Sequence, residues 1–155
     1  MTRIRLLTLL ASPLLLASTG HGTSDPGTIR VRNAPDSSGY HVHVLVNGTR
    51  VRMLVDTGSN VTILSQADAD RVGVRKGAAQ EVDAYGGAAV MYATRIRSLR
   101  LAGTEVGPLD DAAIDDADNA ESILGMDVLD RPGIAMHVEG GVLSVSAGAV
   151  PPGAG

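Results

Sequence analysis

The chain has 155 residues, 44% of them hydrophobic and 19% charged, with a formal net charge of -4 at pH 7. This length suits one compact domain of about 100 to 150 residues and leaves no room for a second lobe. The acidic balance and the lack of Phe and Trp argue against a nucleic-acid binder, which needs a basic face and stacking rings. The lack of Cys excludes disulfides, thiolate metal ligands and cysteine nucleophiles.

The N-terminus has the layout of a secretory signal. Arg3 and Arg5 precede an apolar run from Leu6 to Ala17, and small residues follow it. Because this run is shorter than the roughly 20 residues of a membrane-spanning helix, we expect a cleaved signal over residues 1–22 and no stable membrane span. The protein is therefore predicted to be exported, to the periplasm or the medium. Tethering to the membrane is the alternative if the signal is retained.

The segment 23–38 is rich in Gly, Ser, Pro and Asp and is predicted to be a linker. Within it, the alternating piece at 29–32 suits an edge strand. A single domain is predicted over 39–147, and a disordered tail over 148–155.

Alternating apolar residues on both sides of Asn47-Gly48 predict a β-hairpin, because both turn residues tolerate positive φ. Asp56 then lies at the end of the second strand, where a loop begins. The apolar positions are Tyr40, Val42, Val44 and Val46 before the turn, and Val51, Met53 and Val55 after it.

Beyond Asp56 the pattern predicts one helix and several more strands. Ser65, with Asp68 three residues later, is typical of a helix N-cap, and Gly73 of a helix end, so a helix is predicted over 66–72. Residues 81–101 suit a long hairpin with a glycine-rich tip and a bulge near Ser98. Strands are also expected around 109–114 and 142–145, and a short helix is expected to begin within 123–129.

These elements together predict an all-β fold with one or two short helices, in the form of a small closed barrel or folded-over sheet.

An aspartate that ends a strand and enters the turn Thr57-Gly58-Ser59 has a specific chemical use. Gly58 and Ser59 leave room for backbone amides to approach the carboxylate, and nearby hydroxyls can donate to it, which stabilises the ionised form. Two such carboxylates, about 3 Å apart and sharing one proton, act as an acid and a base at once. The alternative is an ordinary Asx-type turn that closes a strand.

The residues around Asp56 resemble a known family. Residues 53–59, between the Asn47-Gly48 hairpin and the apolar stretch 61–64, resemble the active-site segment of retropepsin-like aspartic peptidases. Ile123-Leu124-Gly125 resembles that family's second hallmark, an apolar-apolar-Gly step into a C-terminal helix. Between them lies the glycine-tipped hairpin, where the family places its flap. The resemblance spans about residues 40–146 and extends to the exported bacterial branch.

The resemblance implies an aspartic endopeptidase that acts as a homodimer on peptides or unfolded proteins and needs no metal or cofactor. Asp56 is then the catalytic carboxylate, and the hydroxyl of Thr57 grips the loop of the partner subunit. Gly58 and Ser59 shape the loop, with Ser59 able to donate to the carboxylate. The remaining implied residues are a flap of Tyr85, Gly86 and Gly87, and a support for the loop formed by Ile123, Leu124 and Gly125.

Other hypotheses remain open on the sequence alone. One is a non-catalytic dimeric module that holds extended peptides through strand pairing. Another is a self-processing protein whose substrate is its own segment from Thr23 to Ser38. His41 and His43 share a strand face but lack a third metal ligand. The acidic run over 110–121 lacks the order of a calcium loop and suits a solvated edge.

Overall fold

The computed structural model describes residues 27–33, 39–84 and 87–148. The predicted signal, the flap residues Tyr85 and Gly86 and all of the predicted tail after Gly148 lie outside these ranges. Within them the chain forms two short helices, α1 (Gln66–Val72) and α2 (Met126–Leu129), and neither is long and apolar enough to cross a membrane. The strands are β1 (Thr28–Arg32), β2 (His41–Val46), β3 (Thr49–Val55), β4 (Ile63–Ser65), β5 (Ala79–Ala84), β6 (Gly87–Ile96), β7 (Leu99–Leu101), β8 (Thr104–Glu105), β9 (Leu109–Asp115), β10 (Ile123–Leu124), β11 (Ile134–Glu139) and β12 (Val142–Ala147).

Strands β2 and β3 form the hairpin that the alternating pattern predicts. Asn47 and Gly48 both adopt positive φ, at 47° and 83°, as a two-residue hairpin turn requires. The register places Val42 opposite Met53, and both side chains are fully buried. Burying side chains of this size stabilises the fold by about 1.5–3 kcal/mol each. The hairpin therefore has one face in the core and delivers Asp56 to the end of β3.

Nine strands form one mixed sheet in the order β5-β6-β9-β4-β10-β3-β2-β7-β8. The short strand β10 lies inside this sheet, parallel to β3 and antiparallel to β4. The predicted mostly-β architecture is confirmed. Among the described residues β5 and β8 are the outer strands and do not pair with each other, so closure into a barrel stays a prediction.

A second, three-stranded sheet joins the two ends of the described chain. Strand β12 is central, between β1 and β11. Ile29 lies opposite Val145 and Val31 opposite Leu143, and the two β12 residues are buried. The piece at 29–32 is thus an edge strand, as predicted. It also belongs to the folded domain rather than to the linker predicted over 23–38, because it pairs with β12 and its residues Ile29 and Val31 pack against the core.

Helix α1 begins and ends where the sequence predicts. The hydroxyl of Ser65 accepts a hydrogen bond from the backbone N–H of Asp68 (3.2 Å), and Gly73 closes the helix with φ of 70°. The buried residues Ala69 and Val72 anchor it to the core. Helix α2 follows Gly125 directly, as the apolar-apolar-Gly step predicts.

The long hairpin predicted over 81–101 is formed by β5 and β6, but it ends before Ser98. Its register against β9 shifts between Thr94 and Ile96, which is the irregularity that the sequence suggests nearer Ser98. After Ile96 the chain turns away, and β7 pairs with β2 instead. The change of apolar parity near Ser98 therefore reflects a change of partner strand as well as a bulge.

Candidate active site

Asp56 is held at the end of β3 by backbone groups from two directions. Its N–H donates to the carbonyl oxygen of Leu124 in β10 (3.2 Å), which continues the parallel pairing of the two strands. Its carboxylate oxygen Oδ1 accepts a hydrogen bond from the N–H of Gly58 (2.8 Å). A Cβ atom on Gly58 would lie 3.1 Å from that same oxygen, so the glycine lets the amide approach the carboxylate. The side chain remains partly exposed.

Ser59 does not donate to the Asp56 carboxylate, in contrast to the expectation from the sequence. Its hydroxyl donates to the carbonyl oxygen of Val61 (2.7 Å) and so holds the loop in its turn. The Ser59 carbonyl oxygen accepts from the N–H of Met126 at the start of α2 (2.8 Å). Because its hydroxyl donates to Val61 within its own loop, Ser59 shapes the loop and leaves the carboxylate to the Gly58 amide.

Gly125 lies where two stretches of backbone meet closely. A Cβ atom at this position would be 2.4 Å from the carbonyl oxygen of Val61, closer than any real side chain can approach. The glycine therefore allows β10 and α2 to pack directly under the Asp56 loop. This close approach gives a physical reason for the glycine in the apolar-apolar-Gly step.

A hydrogen bond between the buried Thr62 and the half-buried Asp127 ties the same backbone segments together. The Thr62 hydroxyl, in a residue with no exposed surface, donates to Asp127 Oδ1 (2.7 Å). The same hydroxyl accepts from the N–H of Gly125 (3.3 Å). Thr62 follows the active-site loop and Asp127 belongs to α2, so the pair connects the loop to its support.

A second polar network joins α1 to the segment before β10. The Ser122 hydroxyl donates to Asp68 Oδ2 (2.6 Å) and accepts from the N–H of Ser65 (3.0 Å). Arg71 forms an ion pair with the same Asp68. Burial raises the pKa of the Asp68 carboxyl, but the hydrogen bonds and the positive charge of Arg71 outweigh it and hold that pKa below its ordinary value.

A cleft of about 670 Å³ opens beside the Asp56 carboxylate. Its base is the active-site loop with Ile63 and Ile123, and its far side is the β5–β6 hairpin, which contributes Val82 and Met91. The lining is largely apolar and holds two carboxylates, Asp56 at the base and Asp83 on the hairpin. Such a cleft suits a chain with apolar side chains lying across Asp56.

The hairpin that covers this cleft lies where the sequence predicts a flap. Of the three predicted tip residues, Gly87 is the one within the described ranges, and its φ of 129° is accessible only to glycine. Residues 87–91 of β6 pair with β5 alone, and pairing with β9 begins at Tyr92. The outer half of the hairpin is therefore a two-stranded ribbon above the cleft.

Thr57 does not line the cleft beside Asp56. It is exposed and borders a separate depression of about 250 Å³ on the side of β11 and β12. The other lining residues are mostly apolar: Tyr40, Val55, Met136, His137, Val138 and Leu143. The predicted contact of Thr57 with a partner subunit stays a prediction, and this surface is the part of the described chain that would carry it.

A comparison of the sequence with models of protein families identifies an aspartyl protease family, in agreement with the geometry around Asp56. The model described as "gag-polyprotein putative aspartyl protease" matches residues 42–131, a range that includes Asp56, the cleft strands and Gly125. The chain belongs to this aspartyl protease family. No curated protein sequence matches it.

Solved structures of aspartyl proteases share the fold. A retropepsin-like aspartic protease from Rickettsia conorii is similar with a TM-score of 0.61 and 22% identity, over 79% of this chain and 94% of that chain. The EIAV protease complexed with the inhibitor HBY-793 is similar with a TM-score of 0.50 and 22% identity, over 63% of this chain and 91% of that one. The retropepsin-like fold predicted from residues 53–59 and 123–125 is thereby confirmed.

Sequence reasoning missed the polar residues that support the aspartyl protease loop. No sequence motif marks these residues, which are Thr62, Ser122 and Asp127. Each forms its hydrogen bond with a residue at least 54 positions away in the chain. One signal was available. Thr62 lies in the apolar stretch 61–64, and Asp127 lies beside apolar residues at the start of the predicted helix. A polar side chain in such a place is expected to have a hydrogen-bond partner within the protein.

Proposed function

We propose that this chain is an aspartic endopeptidase that acts as a homodimer and hydrolyses bonds in peptides or unfolded proteins. The observation that carries the proposal is the position of Asp56, fixed by Leu124 and Gly58 at the base of a largely apolar cleft. The sequence contains one Asp-Thr-Gly segment, whereas a shared-proton mechanism needs two carboxylates. A second copy of the chain supplies the other one.

In the proposed reaction one Asp56 is ionised and the partner's Asp56 is protonated. The ionised carboxylate takes a proton from water as the water oxygen attacks the peptide carbonyl carbon. The protonated carboxyl donates to the carbonyl oxygen, which gives a tetrahedral diol. The carboxyl that took the proton from water then donates it to the amide nitrogen as the carbon–nitrogen bond breaks, and a diol hydroxyl returns a proton to the partner's Asp56, so the pair again has one charged and one neutral group. No metal or cofactor takes part in these steps.

The surface around Thr57 supports a contact between two copies. Val138 in β11 is 56% exposed although it is apolar, and it borders the same depression as Thr57. An isologous contact places the same surface of both copies together, so two active-site loops meet at the two-fold axis. This arrangement brings both Asp56 carboxylates to one cleft.

We also propose export of the mature protein, on the strength of Arg3, Arg5 and the apolar run to Ala17. A test is to express the full chain in bacteria and sequence the N-terminus of the product from each cell fraction. A new N-terminus near residue 23 outside the cytoplasm supports this part of the proposal, and an intact Met1 in the cytoplasm contradicts it.

The test of the peptidase function compares the wild type with Asp56→Asn on an unfolded protein substrate at several pH values. Asparagine preserves size and most hydrogen bonding but cannot titrate, so the variant should fold and bind peptide normally. General acid-base help is worth about 100- to 10,000-fold for one group, and both roles are lost here, so cleavage should fall by at least that much. An unchanged rate in the variant contradicts the proposal, and wild-type binding without cleavage favours a dimeric peptide-binding module.

The pH profile gives a second readout of the same proposal. Because two close carboxylates must share one proton, activity requires one charged and one neutral group. We expect a bell-shaped dependence of kcat/KM on the acidic side of neutrality. A rate that rises steadily with pH indicates a different general base.

A further inference from the structure

A groove of about 480 Å³ lies on the outer surface of the protein, away from the active-site cleft. None of its lining residues borders that cleft. Arg50, which lines the groove, precedes Asp56 by six residues along β3 and its end, and a strand rise of about 3.3 Å per residue places the two about 20 Å apart. The proposed peptidase reaction leaves this groove without a role. Its lining consists of Ile29, Arg30, Val31, His43, Val44, Leu45, Arg50, Arg100, Ala102 and Gly103.

Two strand edges border the groove. Strand β1 pairs with β12 on one side, and within the described ranges no strand pairs with its other side. Strand β7 pairs with β2 at Leu45 and Val46, and no described strand pairs with His43 or Val44 on that edge. Consecutive residues of β1 and of β2 line the groove, which means that backbone edges as well as side chains face it. This shape suits an extended chain that adds to β1 by strand pairing.

The groove is positively charged although the chain as a whole is acidic. The register places Arg50, Leu45 and Arg100 in one row across β3, β2 and β7, and Arg30 reaches the groove from β1. None of these three arginines forms an ion pair with any acidic side chain in the described ranges. Glu105, which lies opposite Arg100, is bound to Ser98 and Leu99 instead.

The lowered pKa of His43, which also lines the groove, is consistent with this positive charge. Burial lowers the pKa of His43, and the charges of Arg50 and Arg52 lower it further. Arg52 is compensated, since it pairs with Glu121 (3.2 Å). The arginines that line the groove have no such ion pair in the described ranges, although Arg100 donates to the carbonyl oxygen of Gly103 (2.8 Å), so their positive charge is available to an anion.

We propose that this groove docks an extended acidic segment of another protein, with carboxylates on one face at the three arginines and apolar side chains on the other face at Ile29. Leu45 is 37% exposed and lies between two of the cations. Arg30 and Ile29 are consecutive in β1 and lie on opposite faces of it, so a strand of alternating acidic and apolar residues added to β1 matches both. Recruitment of substrates by this groove rests on the proposed peptidase function, whereas docking itself does not.

The docking test uses the full chain with Asp56→Asn, so that a bound peptide is not cut. The probe is a fluorescein-labelled decapeptide of alternating Glu and Leu, followed by fluorescence anisotropy. We expect saturable binding that weakens as NaCl rises from about 0.05 to about 0.5 M, because exposed charges are screened. The peptide of alternating Lys and Leu should not bind. A Glu-Leu peptide with N-methylated amides should bind more weakly, since it cannot complete strand pairing.

Matched charge reversals locate the site. The double variant Arg50→Glu with Arg100→Glu should lower the affinity for the Glu-Leu peptide by at least about tenfold, since two charge attractions become repulsions. Arg75→Glu with Arg97→Glu changes the net charge equally at two exposed positions outside the groove and should leave affinity within about twofold. Equal losses in both double variants, or no binding by the parent, overturn the proposal. Binding to anionic lipid vesicles in place of the peptide also overturns it, in favour of a membrane-facing surface.

Cleavage supplies the second arm. A substrate that the wild type cuts is compared with the same substrate carrying the Glu-Leu decapeptide on a flexible linker of about ten residues, long enough to span the distance to the cleft. The tail should lower KM with little change in kcat, and Arg50→Glu with Arg100→Glu should abolish that gain while leaving the untailed substrate unaffected. If peptide binds but nothing is cleaved, docking stands and the peptidase proposal fails. If cleavage occurs but the tail has no effect on KM, recruitment is wrong.

Discussion

The two walls of the active-site cleft are built in opposite ways. On one side, Asp56 lies in a cradle of buried backbone formed by the ends of β3 and β10, Thr62 and Gly125, with polar groups bonded to one another. On the other side, the outer half of the β5–β6 hairpin is a two-stranded ribbon, and Val90 within it is 53% exposed. An isolated pair of strands is marginally stable in water, whereas a central strand is held on both edges.

The two walls allow one small domain to hold Asp56 in a fixed position and still open the cleft to a substrate. In the proposed mechanism the Asp56 carboxylate shares a proton with its partner and needs a fixed position, which the cradle provides. A cover that must admit an extended substrate needs a low cost of movement, and the ribbon provides that. Substitutions in the cradle should therefore reduce stability, and substitutions in the ribbon should mainly change substrate handling.

The largest effect is expected at the close approach beneath the loop. Gly125→Ala places a Cβ atom 2.4 Å from the Val61 carbonyl oxygen, so backbone must shift. We expect a loss of about 3 kcal/mol or more in the free energy of unfolding, measured by urea denaturation. Gly148→Ala is the matched control, since no heavy atom lies within 4 Å of its Cβ position, and it should be near neutral. Similar losses in both would mean that the packing beneath the loop is not tight.

A pair of methionines tests the contrast directly with one chemical change. Met53 in β3 is fully buried, whereas Met91 in the ribbon is partly exposed and borders the cleft. Met53→Ala should cost about 2–5 kcal/mol, and Met91→Ala should cost clearly less. In a peptide cleavage assay Met91→Ala should raise KM, because it removes part of the apolar lining. The contrast breaks if Met91→Ala is as destabilising as Met53→Ala.

The buried Thr62 hydroxyl should have an intermediate effect. Thr62→Val keeps the shape of the side chain but leaves the Gly125 N–H without its acceptor and the Asp127 carboxylate without its donor. Such unpaired buried groups cost about 1–3 kcal/mol, which thermal or urea unfolding measures. Thr62→Ser restores the hydroxyl and should recover most of the loss. A Thr62→Val variant as stable as the wild type would contradict a stabilising role for the hydroxyl.

The smallest effect is expected from acid titration of the network beside α1. The pKa of Asp68 is held below its ordinary value, so its contribution is present above about pH 4 and is lost as pH falls through the lowered pKa. Asp68→Asn should therefore be less stable than the wild type at neutral pH, and the difference should shrink in stronger acid. Urea midpoints measured from neutrality down to about pH 3 check this. A difference that stays constant with pH would rule out titration of Asp68.

Local patterns predicted much of the fold. The Asn47-Gly48 hairpin, the capped helix over 66–72 and the position of Asp56 at a strand end all follow from residues close in sequence. The parallel pairing of β3 with β10 does not, because Leu54 and Ile123 are far apart in the chain and no periodicity connects them. The pairing of β1 with β12 was not predicted for the same reason. Because the residues around 29–32 are rich in Gly and Pro, this segment was assigned to a linker instead of the domain.

Side-chain direction was the other limit. The sequence predicts that Ser59 lies in the loop of the Asp56 carboxylate, and it does. The Ser59 hydroxyl, however, donates to the carbonyl oxygen of Val61 within that loop. Which of two nearby acceptors a hydroxyl chooses depends on the turn geometry to within an ångström, and composition does not report it. The supporting contacts of Thr62 and Ser122 likewise depend on the long-range pairing of strands.

The central claim is that one catalytic unit contains two Asp56 carboxylates from two chains. The most direct test mixes wild-type and Asp56→Asn chains, lets them exchange, and measures cleavage at constant total protein. At equal amounts, random pairing leaves about one quarter of the dimers with two carboxylates, so activity should fall to about one quarter and vary with the square of the wild-type fraction. Activity in simple proportion to that fraction would mean that each chain works alone, and it would contradict the account.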